Sequence, residues 1–130
     1  FWPAEVKYKN EIFKTVEHAY QAAKCQLRAQ FLNFLVLQTP GQAKAFGKQV
    51  VVRHDWPEVK QEIMEDLVTQ KFTNHEDLKQ KLLATGNAEL IEGNTWRDRY
   101  WGMTLENGVW VGHNFLGKIL MKVRDQLKEK

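Results

Sequence analysis

The chain predicts a mainly α fold, a single compact multihelical domain with a few short β-strands. Two observations carry this. Apolar residues recur at helical spacing in several stretches, most of them opened by a residue that caps helices well. Segments of strand character are few and short, and they lie beside turn residues such as Asn107-Gly108.

Trp2 to Phe13 reads as short extended pieces around Pro3 and a polar Lys9-Asn10-Glu11 turn, a small hairpin leading into the first helix. Thr15 is the expected N-cap. Val16, Ala19, Tyr20, Ala23 and Leu27 then form a buried stripe, with Glu17, Gln21, Lys24 and Arg28 as a polar stripe beside it, so the helix is expected to run toward Arg28. Phe31 to Leu37 is either its end or a separate helical turn. Thr39-Pro40 supplies an N-cap and a first-turn proline for a short helix ending near Gly47. Asp55-Trp56-Pro57-Glu58 has the form of a capping box and opens the clearest helix, with Val59, Ile63, Leu67 and Phe72 as its expected buried face. Thr73 to Glu76 caps the next, in which Leu78, Leu82 and Leu83 point inward and Gly86 is the stop; these two helices are expected to pack as an antiparallel pair. Ala88 to Ile91 reads as a short extended piece, and Gly93 to Tyr100 as an irregular polar loop. Val109-Trp110-Val111 is a strand after the Asn107-Gly108 turn. Asn114 opens the last helix, which buries Leu116, Ile119, Leu120, Val123 and Leu127.

At 130 residues, with 43% hydrophobic residues and five tryptophans, one domain can bury a real core. The net charge of +3 mildly favours an anionic partner, but 19 basic residues interspersed with 16 acidic ones do not make a nucleic-acid tail. The lone Cys25 excludes an intrachain disulfide framework and suits a reducing cytoplasm. No apolar run is long enough to span a bilayer, and no secretory signal is visible. His18, His54, His75 and His113 have no partner at metal-ligand spacing, so neither a metal nor a cofactor is expected. Gly112 and Gly117 do not form a nucleotide-binding fingerprint. Cys25 lacks a partner base and is not expected to be a catalytic thiol.

On physical grounds each candidate side chain has an ordinary use beside a chemical one. Glu17, in the first turn of its helix, sits where exposed amides and the helix dipole favour an ionised carboxylate. It is equally part of a solvated polar edge with Gln21 and Lys24. Trp101 is either a core plug or a stacking platform. Asn114 is an ordinary N-cap, Asp98 an ordinary turn residue, and Arg53 either a surface arginine or a phosphate holder.

The run Thr15-Val16-Glu17-His18-Ala19-Tyr20-Gln21-Ala22-Ala23-Lys24 resembles the signature helix of the NADAR family, the riboflavin-intermediate N-glycosidase proteins. Four further segments match in the same order: Arg53-His54-Asp55-Trp56 with Val59-Lys60; Lys71-Phe72; Ala84 to Glu92; and Asp98-Arg99-Tyr100-Trp101-Gly102 followed by Gly112-His113-Asn114-Phe115-Leu116-Gly117-Lys118. The match spans nearly the whole chain, residues 1–130. The start at Phe1 resembles the tail of the family's opening Ser-Asn-Phe segment, which implies that native N-terminal residues precede it.

The resemblance implies hydrolysis of an N-glycosidic bond in a ribosylated base. The substrate is either a ribosylamino-pyrimidine phosphate of riboflavin biosynthesis or ADP-ribose on guanine in a nucleotide or nucleic acid. It implies Glu17, Lys24 and Asp98 as catalytic residues and His18, Gln21, Arg53, Trp101, Gly102 and Asn114 as substrate contacts, with Glu17, Lys24, Asp98 and Trp101 lining one pocket. Glu17 would stabilise positive charge on the ribose or activate water. Lys24 would hold substrate oxygens as a cation or attack the sugar carbon as an amine, and the second role needs a neutral lysine. Glu17 nearby raises the lysine pKa and burial lowers it, a contest that sequence leaves open. The alternative is a non-catalytic module for ADP-ribose or a related nucleotide, with Trp101 stacking and Arg53 on phosphate.

Overall fold

The computed structural model describes residues 3–94 and 96–129. Trp2, placed in the N-terminal hairpin region by its sequence, lies outside them. The fold is mainly α: among the described residues there are six helices and two two-stranded antiparallel sheets. The chain divides into two compact units, Phe1–His75 and Glu76–Lys130.

The first unit opens with β1 (Val6–Tyr8) and β2 (Glu11–Phe13), paired in register Val6 to Phe13 and Tyr8 to Glu11. Lys9 and Asn10 both take positive φ, 48° and 66°, as a two-residue hairpin turn matched to strand twist requires. Helix α1 (Val16–Ala23) packs against both strands, α2 (Arg28–Asn33), α3 (Pro40–Gly47) and α4 (Trp56–Asn74). Aromatic pairs fill this core: Phe13 meets Phe31 edge-on at 5.5 Å, Tyr20 lies 5.0 Å from Trp56, and Phe34 lies 5.1 Å from Phe46.

Three expectations need correcting here. The first helix does not run toward Arg28. It ends at Ala23 because the chain after it turns extended and pairs with residues 51–53: Cys25 bridges Val52, the Gln26 amide donates to Val51 O at 2.8 Å, and the Arg53 amide donates to Lys24 O at 3.0 Å. Leu27 is consequently 47% exposed rather than buried, and Arg28 starts α2, a separate helix. The buried face of α4 is also rotated from the expected one. Met64, Leu67, Val68, Lys71 and Phe72 are buried, at i, i+3, i+4, i+7 and i+8, whereas Val59 and Ile63 are only half-buried. The sequence pattern hides this face because a lysine, only 2% exposed, occupies one of its core positions. Finally, Asp55 makes no capping bond to α4, since both its carboxylate oxygens are taken by Arg53. Thr39, by contrast, forms a complete capping box with Gln42.

In the second unit α5 (Glu76–Leu83) packs against α6 (Phe115–Lys128), so its helical partner comes from its own unit. Leu78 and Leu82 of α5 are buried with Leu116, Ile119, Val123 and Leu127 of α6, while Leu83 and Leu120 are half-buried. Gly86, at φ 64°, terminates α5 as its position suggested. Strands β3 (Thr104–Glu106) and β4 (Val109–Val111) form a hairpin whose turn, Asn107-Gly108, has both φ angles positive. No helix among the described residues is long and apolar enough to cross a membrane.

Two cap variants should separate these local designs. Thr39→Ala is expected to cost about 1 kcal/mol in urea unfolding, the usual loss for a hydrogen-bonded N-cap. Asp55→Ala should leave helix capping unchanged and act only through Arg53, so a loss equal to that of Thr39→Ala would contradict the described role.

Candidate active site

Helix α1 is buried almost all round. Of its eight residues only Glu17 is not buried, and Lys24, the C-cap, is half-buried beyond it. Two polar side chains are thus inside, and each needs partners. His18 finds them at the helix start. Its backbone amide donates to Thr15 Oγ1 at 3.2 Å, its Nδ1 lies 2.7 Å from the same hydroxyl, and its Nε2 lies 3.1 Å from Leu37 O. Leu37 O can only accept, so Nε2 carries the proton and Nδ1 accepts from Thr15. The ring, expected as a substrate contact, is wholly buried with both nitrogens engaged within the protein. Burial, with a smaller contribution from Lys14, holds its pKa below 6.5 despite the opposing bond to Leu37.

Gln21, expected at the substrate, is also drawn inward. Its Nε2 donates to Glu17 Oε2 at 3.4 Å, while its buried Oε1 has no hydrogen-bond partner among the described residues. The amide rests on Gly47 of α3, where a Cβ would collide with Gln21 Oε1. Gly47 is therefore more than a helix stop: its missing side chain makes the space that sets Gln21 against Glu17. That role was not legible in the sequence, because only the α1–α3 crossing creates it.

Lys24 resolves the contest left open above. Burial lowers its pKa, outweighing the opposing influence of the Cys25 thiol and of Glu17, so its amine is easier to deprotonate than an exposed lysine's. Cys25 goes the other way. Burial pushes its thiol up to about 11, with Lys24 opposing, and the protonated sulfur donates to Gln21 O at 3.6 Å. It is no thiolate nucleophile at neutral pH. Arg53 is bound through two nitrogens to Asp55, at 2.6 and 2.9 Å, and reaches Ala23 O at 3.4 Å. The bond to Asp55 first, over a smaller desolvation cost, raises its pKa further. Any phosphate would have to compete with that carboxylate.

The other residues that the sequence puts forward lie in the second unit, which is described by itself. Asp98 Oδ1 accepts from the amides of Tyr100 and Trp101, at 3.1 and 3.0 Å, and so folds the turn that presents Trp101. Trp101 is half-buried, edge-on to Tyr100 at 4.8 Å. Gly102 is buried where a Cβ would strike Glu92 O. Asn114 does not cap α6 with its side chain. Its backbone is left-handed, φ 55°, and its amide spans the 90–92 segment, donating to Leu90 O and accepting from Glu92 N, both at 2.9 Å. The backbone at Leu90 and Glu92 is thus paired by a side chain rather than by a strand. Gly117 makes room for that amide, since a Cβ there would collide with it. Among the described residues no cluster of metal-ligating side chains occurs.

The model of the NADAR domain matches residues 2–128. The chain belongs to the NADAR domain family. It is 37% identical to a riboflavin biosynthesis protein of Vibrio vulnificus, over 99% of this chain but only 35% of that longer protein. With an N-glycosidase of Nostoc punctiforme it shares 35% identity over 98% of its own length and 83% of the relative's. The NMR structure of the Escherichia coli protein YbiA superposes with a TM-score of 0.81 at 33% identity, covering 98% of this chain and 74% of that one. A NADAR fold thus accounts for both the helices and the two small sheets.

Two outcomes follow. Because His18 resists protonation when folded, the unfolded chain binds more protons below pH 6.5, and stability falls as pH drops beneath that value. Urea midpoints measured at about pH 7.5 and 5.5 should converge in His18→Gln relative to wild type. Gly47→Ala should displace the Gln21 amide and cost more than 1 kcal/mol or so, as overpacking does; unchanged stability would mean that Gln21 does not depend on that space.

Proposed function

We propose that this chain hydrolyses the N-glycosidic bond of a ribosylated base. The observation that carries the reading is the α1 edge: a first-turn carboxylate, Glu17, held by Gln21, with a lysine beyond it whose amine is made less basic by burial. The names of the Nostoc relative, an N-glycosidase, and of the Vibrio relative, a riboflavin biosynthesis protein, support the reaction class. The substrate is a ribosylamino-pyrimidine phosphate on the route to riboflavin or ADP-ribose joined to guanine.

Breaking the bond between the anomeric carbon and the base nitrogen builds positive charge on the ribose, and Glu17 stabilises it. The lowered Lys24 pKa favours the amine route over simple charge holding. The Lys24 Nζ lone pair bonds to the anomeric carbon as the carbon–nitrogen bond to the base breaks, its electron pair leaving with the base, which takes up a proton. Opening of the sugar ring then gives a Schiff base on Lys24, and addition of water returns the free amine and the released sugar. Asp98, expected as a catalytic residue, and Trp101, expected as a substrate contact, belong to the second unit, where Asp98 accepts from the Trp101 amide and sets its ring. The binding-module alternative is weakened by Arg53, whose guanidinium is already held by Asp55.

Incubation with both substrates, followed by assay of released base and sugar, tests the reaction and chooses between them. Glu17→Gln should lower turnover by about 10²–10⁴ with the fold intact. Lys24→Arg keeps a cation but removes the amine nucleophile; it should abolish turnover, and borohydride should trap sugar on wild-type Lys24 only. Full activity in both Glu17→Gln and Lys24→Ala would falsify the catalytic reading. Trp101→Ala should weaken substrate binding by roughly one to two orders of magnitude, the loss of one stacked base.

The depressed Lys24 pKa also sets a stability signature. Below its folded pKa the half-buried ammonium opposes folding, and this is relieved as pH rises toward the ordinary lysine value of 10.5. Lys24→Met should therefore raise the thermal midpoint near neutral pH, with the gain shrinking at alkaline pH.

A further inference from the structure

The second unit contains a cleft of about 640 Å³, lined among others by Gly93, Asn94, Arg97, Arg99, Glu106 and Trp110. None of the residues given a chemical role above lines it. Trp110, the middle residue of β4, is 43% exposed, and its six-membered ring lies against Gly93, where a Cβ would come within 3.1 Å of Cη2. The ring is thus seated on the loop without being covered. Arg97 has φ 64°, a left-handed backbone that is uncommon and strained for a residue other than glycine. The turn holding it there is pinned by Asn94, whose Nδ2 donates to Asp98 O at 2.8 Å while its Oδ1 accepts from Asp98 N at 2.9 Å.

The charges in the cleft do not cancel. Glu106 is bound through both oxygens by Arg99, at 2.6 and 2.7 Å, and accepts from Thr104 at 2.8 Å. Arg97 also acts on Glu106 through space, yet its guanidinium makes no hydrogen bond or ion pair among the described residues. Two arginines therefore face one carboxylate, leaving one cation exposed at the wall opposite no further acid.

We infer that this cleft is a nucleotide site, with the base stacked on Trp110 and the phosphate held by Arg97. A bare anion has no use for the seated indole, and an apolar ligand has none for the unpaired guanidinium. A planar heteroaromatic ring joined to a phosphate uses both. The shared chemistry is that of a free nucleotide or of one nucleotide within a strand. Binding here requires no turnover, so it stands or falls separately from the hydrolysis reading.

The test is site-resolved titration of the intact chain by NMR, following the Trp110 indole N–H and the Gly93 and Leu105 amides. The probes are AMP, adenosine, inorganic phosphate and a single-stranded oligoadenylate. AMP should shift these signals and bind more tightly than adenosine or phosphate alone. Arg97→Gly, which keeps the left-handed backbone and removes the guanidinium, should weaken AMP roughly tenfold, and Arg97→Lys less. Trp110→Leu should weaken it by roughly 5- to 100-fold, and should its hairpin fail to fold, Arg97→Gly carries the test alone. Equal affinity of AMP and the oligomer identifies a free nucleotide as ligand, while a tighter, salt-sensitive oligomer identifies a strand; either outcome supports the site. No shift at Trp110 with any probe, or AMP affinity unchanged in Arg97→Gly, overturns it.

Discussion

The first unit depends on the burial of α1. An eight-residue helix is too short to hold itself together in water and is stable here because surrounding elements cover it. Such burial is straightforward for Val16, Ala19, Tyr20, Ala22 and Ala23. It is expensive for His18 and Gln21, which are enclosed as well. The latch of Thr15, His18 and Leu37 and the packing of Gln21 on Gly47 and Glu17 are what make the enclosure tolerable.

The same constraint shapes the chemistry. With the rest of α1 inside, the carboxylate of Glu17 and the amine of Lys24 are what the helix leaves partly open. Burial then acts on each neighbour according to its charge: it makes Lys24 less basic and Cys25 less acidic. Two adjacent residues that look alike as candidate nucleophiles are thereby separated, the amine made more available and the thiol less so.

In the second unit a comparable economy of backbone satisfaction recurs. Asn114 uses its side chain to pair the 90–92 segment, and Asp98 uses one carboxylate oxygen to fold its turn. Glycines at 102 and 117 permit the approach, each at a place where a methyl group would collide with a carbonyl or an amide. Asp98 keeps the turn-forming role its sequence suggests, whereas Asn114 gives up capping to pair a distant segment; both side chains thereby acquire fixed positions.

Local chemistry was legible from the residues alone. Thr15 and Thr39 cap helices, Asn107-Gly108 turns a hairpin, Gly86 stops a helix, and the order of short motifs pointed to the NADAR family. These signals involve residues within a few positions of one another, where propensity and hydrogen-bonding reach decide the outcome. What only the tertiary structure decided concerns partners distant in sequence. Helix α1 stops at Ala23 because residues 51–53 claim the chain after it; Asp55 abandons capping for Arg53; Lys71 sits in the core face of α4; His18 bonds Leu37. The acidity of Lys24 is of the same kind. Its sign depends on whether burial outweighs a neighbouring carboxylate, and burial belongs to the packed chain rather than to any stretch of it.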